Sequence, residues 1–368
     1  MRALLSVVGT RGDVQPVIAL ALEVRALGHE VRLCVPPNFM TLAQELGFVA
    51  TSVGVEMRAP SAGAPPAPLP DLIADQFDAV NAAAKACDII LGANAHQYAA
   101  RSIAELRGVP YVNALYAPTA LPADANSRSW NERSLERVNA NRTRLGMTPI
   151  TDVLGHIVTD RPWLATDPTL DPPPSRPGMV IRQSGAWLLA DKSPLSPELE
   201  SFLESGDAPV YIGFGSMPVA EGTSRPIIDA VRSAGRRAIV SEGWGNLGVI
   251  DDAADCIAIG DVNQQALFPR VAAVVHHGGA GTTLAAARAG APQVVVPMFS
   301  DQPYWASRVC ELGIGASVPM AALSVEGLAS AIHNALKPTV VERAKVVARQ
   351  VVVDGAALAA RWLIDEVR

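Results

Sequence analysis

A chain of 368 residues with 49% hydrophobic side chains is long enough for two domains with cores of their own, and a net charge of −6 excludes the basic surface of a typical nucleic-acid-binding protein. No charged-apolar-cleavage succession marks its start, and apolar runs such as 88–93 are too short to span a bilayer, so cytoplasmic residence is expected, with transient association with a membrane surface left open. Cys34, Cys87, Cys256 and Cys310 are scattered without metal-ligand spacing and read as buried free thiols; no metal site is expected.

Strands and helices alternate in two series. The first opens with a strand over 3–8 and a helix over 14–27, in which Val14, Val17, Ile18, Ala21 and Leu22 share one face. Further strands are expected at 30–35, 88–92 and 110–115, and the proline-rich segment 59–70, between 30–35 and 88–92, predicts an irregular surface loop. A second proline cluster, 167–177, predicts the interdomain linker. Beyond it, strands are expected at 210–214, 237–241, 256–259, 272–275 and 293–296, with helices at 196–205, 224–234, 281–289 and 304–312, and the alanine-rich stretch 355–368 reads as helical. Apolar strands between amphipathic helices predict parallel sheets covered on both faces, hence two doubly wound α/β domains.

The stretch VVHHGGAGTTLAAARAGAPQVVVPMFSDQP, 274–303, concentrates the chemistry. After an apolar strand, Gly278, Gly279 and Gly281 leave main-chain amides uncovered, and Thr282 and Thr283 begin a helix whose N-terminus carries partial positive charge. An anion is expected there, with His277 as a further donor and Thr282 as a hydroxyl, although an ordinary strand-turn-helix junction has a similar glycine content. Asp301 and Gln302 end the segment as polar groups suited to hydroxyls. At the other end of the chain, Asp13 stands where the first strand gives way to a helix, a place that suits both a helix cap and a general base.

The motifs GTRGDVQP (9–16), GFGS (213–216), SEGWGNL (241–247), GDVNQQALF (260–268), HHGGAGTT (276–283) and SDQPYWA (300–306) occur in an order that resembles family 1 glycosyltransferases. The likeness covers essentially the whole chain and is closest to the bacterial antibiotic branch that glucosylates glycopeptide aglycones and to the sterol glucosyltransferases. It implies the GT-B fold, two Rossmann-like domains facing each other across a cleft: an acceptor domain over 1–176, a nucleotide-sugar domain over 177–354, and a helix over 355–368 crossing back to the first.

The resemblance further implies an inverting hexosyltransferase that takes a hexose, glucose by expectation, from a UDP- or TDP-sugar and places it on a hydroxyl of a hydrophobic natural product, sterol or polyphenol, without cofactor or metal. His277, Gly279, Gly281 and Thr282 would hold the donor diphosphate, with Ser216 approaching from the opposite side. Asp301 and Gln302 would bond the donor sugar, and Val262 and Trp244 would form the nucleobase pocket. Asp13 would be the base, because macrolide and plant relatives resemble one another in carrying histidine at that motif position whereas the glycopeptide and sterol branches carry aspartate. Thr10, Asn94, His96 and Tyr116, at strand ends of the acceptor domain, are the candidate acceptor pocket. By residue type alone Trp244 serves equally as a core aromatic, His276 as a packed strand-end residue and His96 as a surface or capping residue. The connection 117–126 is short beside glycopeptide-modifying relatives, which implies a less covered acceptor cleft. Two other readings fit the architecture, a nucleotide-sugar 2-epimerase and a catalytically silent nucleotide-sugar-binding protein; the GTRGDVQP and SDQP motifs weigh against the first and Asp13 against the second.

Overall fold

The computed structural model describes residues 1–56, 72–217, 219–220, 222–245 and 247–368. The loop expected over 59–70 lies outside the described residues. The chain separates into two compact units, the first drawing its described residues from 1–56, 72–189 and 352–368 and the second from 190–351.

The division between units therefore falls after Leu189, and the proline cluster 167–177, expected as the linker, belongs to the first unit. Side chains fasten it there. Asp167 Oδ1 accepts the Thr169 N–H at 2.8 Å and its Oδ2 accepts the Val352 N–H at 2.6 Å, while the fully buried Asp171 takes the Thr166 hydroxyl at 2.6 Å. Proline content cannot distinguish a linker from a coil pinned by buried carboxylates.

The first unit holds a seven-stranded parallel sheet of β1 (Arg2–Val7), β2 (Glu30–Val35), β3 (Val49–Ser52), β4 (Ile89–Ala93), β5 (Tyr111–Leu115), β6 (Trp163–Leu164) and β7 (Arg182–Gln183), in the order β3-β2-β1-β4-β5-β6-β7. Alternation along β1 sends Ala3, Leu5 and Val7 into one apolar layer and Leu4 into the other, so both faces are covered. The first layer includes Ala359, Ala360 and Leu363 of the helix Gly355–Asp365, which packs on the helix Arg11–Ala26. Arg182 lies over the rings of Trp362 and Trp163 at 4.1 and 5.7 Å and pairs with Glu366 at 3.1 Å, fixing that helix further.

The second unit repeats the plan with β8 (Val210–Gly213), β9 (Ala238–Ser241), β10 (Cys256–Ile259), β11 (Ala273–His276), β12 (Gln293–Val295) and β13 (Gly315–Ser317), all parallel in the order β10-β9-β8-β11-β12-β13. Val210 and Ile212 enter one core layer and Tyr211 the other. Two parallel-sheet units of this kind match the two doubly wound α/β domains expected from the sequence.

Several elements escape periodicity. β6 and β7 have two residues each, and the helix Asp124–Arg144 buries only Ser134, Val138, Asn141 and Arg142, so it shows no apolar stripe. The four cysteines are free, but only Cys34 and Cys87 are buried; Cys256 is half-buried and Cys310 exposed, which corrects the expectation of four buried thiols. Among the described residues no helix is long and apolar enough to cross a membrane.

In both sheets the strand order reverses beside the first strand, between β1 and β4 and between β8 and β11. Such reversals open a crevice outside the carboxyl ends of the strands, the usual ligand position in open α/β sheets. Asp13 and Asn94 follow β1 and β4; Ser216 and His277 follow β8 and β11.

Candidate active site

At the first reversal, the helix Arg11–Ala26 starts earlier than its apolar pattern predicts, with Thr10 as N-cap and Asp13 in its first turn. The half-buried Asp13 carboxylate reaches back to cap this helix: its Oδ2 accepts the Thr10 main-chain N–H at 2.8 Å, with the Thr10 hydroxyl 3.4 Å away. Oδ1 accepts the Asn94 side-chain amide at 2.6 Å. The two roles open at the level of residue type, cap and base, are thus compatible in one side chain. Gly9 permits this arrangement, because its φ of +128° favours glycine and a Cβ there would collide with the Asp13 carboxylate.

Asn94 itself sits at φ +67°, a left-handed conformation that asparagine tolerates better than most residues. Its strain is offset by neighbours. The Asn94 N–H donates to the Ala114 carbonyl at 2.7 Å, its Oδ1 accepts the Ala95 N–H at 2.9 Å, and the buried Asn113 amide donates to the Gly92 and Asn94 carbonyls at 3.0 and 3.2 Å. Asn113 was not among the expected site residues; a lone amide in the apolar strand YVNAL is the signal that marks it.

The other acceptor-pocket candidates divide. Tyr116 is buried, and its hydroxyl donates to the Asp13 main-chain carbonyl at 2.9 Å, so it props the start of the helix. Burial first, and the Asp13 charge second, hold its phenol well above the usual value. His96 belongs to a separate aromatic cluster, 5.0 Å from the Trp130 ring and 6.3 Å from that of Tyr98. Although its residue surface is exposed, crowding of the ring lowers its pKa, with Arg133 adding to the effect. The buried Gln76 clasps this loop, donating to the His96 carbonyl at 3.1 Å and accepting the Tyr98 N–H at 3.0 Å.

At the second reversal, the helix Ala280–Ala289 begins after Gly279, and the amides of its first turn have no acceptor within the helix. Gly278 adopts φ +92°, and a Cβ there would approach Val295 Cγ1 to 2.7 Å and the Gln302 carbonyl to 3.2 Å. The turn and the Asp301-Gln302 segment are therefore neighbours within this unit. His277 lies beside Gly279, with its Nδ1 buried and lacking a hydrogen-bond partner. Burial lowers its pKa to about 4, with the Gly213 backbone opposing the shift. The ring is neutral at pH 7, a donor through one nitrogen only. Gly281 is exposed and Thr282 half-buried at the mouth of the turn.

Around this turn, Ser216 is half-buried just after β8, and the Trp244 N–H donates to the Gly215 carbonyl at 2.9 Å, joining the GFGS and SEGWGNL motifs. Val262 is half-buried beside a second core layer; the next residue, Asn263, caps the helix Gln264–Leu267 and donates to the Asp191 and Ser193 carbonyls at 3.2 and 2.8 Å. Asp301 is the N-cap of the helix Gln302–Glu311 and accepts the Trp305 indole N–H at 2.8 Å, while burial raises its pKa. The preceding Ser300 is held at φ +61°.

Gln302 points inward. Its side chain is buried, its Oε1 accepts the Met298 and Phe299 amides at 2.8 and 3.2 Å, and its Nε2 lies 3.2 Å from the Met217 sulfur. It is committed to closing the 298–302 turn, and Asp301 is the more open of the pair. Among the described residues no group of three or more histidines, cysteines or carboxylates is placed to hold a metal ion. Asp251 and Asp255 are bridged by the Arg232 guanidinium at 2.7 and 2.8 Å, which lowers the Asp251 pKa to about 2.

Comparison with known proteins follows this division. Residues 3–122 match the glycosyltransferase family 28 N-terminal domain, and residues 248–357 match the C-terminal domain of erythromycin biosynthesis protein CIII-like proteins. Over 400 aligned positions the chain is 43% identical to the vancomycin aglycone glucosyltransferase of Amycolatopsis orientalis, covering 100% of this chain and 98% of that protein. It is 33% identical to a sterol 3-beta-glucosyltransferase of Arabidopsis thaliana over 96% of this chain and 66% of the relative. The crystal structure of the glycosyltransferase VinC in complex with dTDP superposes with a TM-score of 0.70 at 20% identity, covering 100% of this chain and 99% of that one, and so shares the fold. The chain belongs to the GT-B antibiotic glycosyltransferase family.

Proposed function

We propose that the protein is an inverting hexosyltransferase that moves a hexose, with glucose the expected sugar, from a UDP- or TDP-sugar to a hydroxyl of a hydrophobic natural product, sterol or polyphenol. The observation that carries this reading is the Asp13 carboxylate at the first strand reversal, oriented through both oxygens by Thr10 and Asn94. An oriented carboxylate beside a ligand crevice is what a general base requires. It takes the proton of the acceptor hydroxyl as that oxygen attacks the anomeric carbon. The bond from that carbon to the diphosphate breaks on the opposite side, and negative charge gathers on the leaving nucleoside diphosphate. The first-turn amides of Ala280–Ala289 and the His277 ring are the groups assigned to that charge, acting as fixed dipoles where it develops. The proposal assigns this task to them rather than to a metal ion.

The names of the relatives support the substrate classes: one acts on a glycopeptide aglycone, another on a sterol, and a structural neighbour holds dTDP. The alignment with the vancomycin enzyme needs 400 positions for 368 residues, so that relative carries segments with no counterpart here. We assign this chain an acceptor that is smaller or less enclosed than a glycopeptide. The test is a mass-spectrometric screen of UDP-glucose, UDP-N-acetylglucosamine and TDP-glucose against phenolic, steroid and macrolactone acceptors. A glycosylated product from any pair, absent with Asp13→Asn, supports the reading; product formation at the normal rate by that variant sinks the assignment of the base.

A further inference from the structure

The first histidine of the HHGGAGTT motif is left without a task by the proposed donor site, yet it is fully buried and engaged through both ring nitrogens. His276 is fully buried at the end of β11, as are Gln293 in β12 and Thr283 in the helix Ala280–Ala289. The Gly278 N–H donates to His276 Nδ1 at 3.1 Å, and His276 Nε2 lies 2.9 Å from Gln293 Oε1. Because Nδ1 accepts, the proton must sit on Nε2 and be donated to Gln293. The Gln293 amide then donates to the Thr283 carbonyl at 3.3 Å, and the Thr283 hydroxyl donates to the Gly279 carbonyl at 2.9 Å. These four bonds form a chain that starts at Gly278, passes through three buried side chains, and returns to Gly279. It holds two successive residues of the turn, Gly278 and Gly279, between His277 and the start of the helix.

We propose that His276 is a positioning residue for the leaving diphosphate, holding with Gln293 and Thr283 the 277–282 turn in the shape that presents His277 and the amides of Ala280, Gly281 and Thr282 to the two phosphates. The inference rests on the donor-site reading above. His276 touches no substrate; it acts through the turn. A leucine of similar bulk fills the space but neither accepts from Gly278 nor donates to Gln293, so the turn is free to adopt other glycine conformations. An asparagine keeps an acceptor near the position of Nδ1.

The experiment compares calorimetric binding of UDP with uridine, and of TDP with thymidine, in the wild type, His276→Leu, His276→Asn and Gln293→Leu. The wild type is expected to prefer the diphosphate over its nucleoside. His276→Leu and Gln293→Leu are expected to reduce that preference about tenfold to a hundredfold, with nucleoside affinity and acceptor KM unchanged, and His276→Asn to restore most of it. A preference undiminished in the leucine variants overturns the proposal, as does an equal loss for nucleoside and diphosphate, which marks a general structural role. Should the leucine variants fail to fold, nitrogen NMR of the wild-type imidazole decides: a proton on Nε2 in slow exchange agrees, and a proton on Nδ1 overturns it. A wild type that shows no preference for diphosphates under any condition refutes the donor site itself, a result distinct from the failure of His276 alone.

Discussion

At the strand reversal of the first sheet the assigned working group is a side chain, the Asp13 carboxylate held by Thr10 and Asn94, whereas at that of the second it is main-chain amide, flanked by two histidines kept neutral by burial. The same topology is finished differently, in keeping with the two tasks proposed for it. A base must be a titratable group aimed at one proton, so its surroundings are hydrogen-bond donors that fix direction. A cradle for a leaving anion works best as fixed dipoles that need no reorganisation, so its surroundings are glycines and a helix start. Even the left-handed residues follow this division: Asn94 needs its side chain to reach Asp13, whereas Gly278 can carry none without striking Val295.

The contrast can be broken at either side. Asp13→Asn should lower transfer by about 10²–10⁴-fold while calorimetric binding of UDP or TDP stays near wild type, since the change leaves the second unit untouched. Equal loss of both would erase the distinction between the two reversals. His277→Ala should lower turnover by about 100-fold with acceptor KM unchanged, the loss expected for one donor to a developing oxyanion; steady-state kinetics with both substrates varied would show it. Asn94→Gly relieves the left-handed conformation but removes the amide on Asp13, so it should keep thermal stability and lose about tenfold in kcat, comparable to one charge-assisted hydrogen bond. A variant with full activity would mean that Asp13 is oriented without it.

The smallest effect concerns acid. Burial, reinforced for His276 by the charge on His277, lowers the pKa of His276 to about 3 and burial that of His277 to about 4, against 6.5 for a free imidazole. Above pH 6.5 folded and unfolded chains both hold these rings neutral, so they add no pH dependence. As pH falls from 6.5 toward 3 the unfolded chain binds protons that the folded chain refuses, and stability declines. Denaturant unfolding of His276→Asn should show a shallower loss across that window than the wild type; parallel curves would show that other groups govern acid stability.

Much of this was legible in the sequence, for identifiable reasons. Apolar runs such as LLSVV and VAAVV located the central strands to within a residue or two, because strands buried on both faces are written in side chains that have few other uses. The glycine turn was legible at Gly278, where φ +92° and the nearness of Val295 favour a residue without a side chain, whereas Gly281 meets no such demand. The edges were not: β6 and β7 are held by Trp163 and Arg182 packing against Trp362, a residue far along the chain. The capping bond from Asp13 moved the helix start ahead of its apolar stripe, since a helix N-terminus is set by hydrogen bonds rather than by hydrophobic period. The inward turn of Gln302 was hidden for a related reason, its side-chain carbonyl being drawn in by the two main-chain amides of its own turn.

The first unit is discontinuous in the chain, and this sets an order of events during synthesis. Residues 190–351 emerge from the ribosome complete, able to assemble the second sheet, while the layer around Val17 and Leu20 still lacks Ala359, Ala360 and Leu363. The helix that carries Asp13 thus gains its full support only after the proposed donor-binding unit has been made. A premature stop just short of residue 355 would leave a polypeptide with every motif intact and an unfinished foundation beneath Asp13.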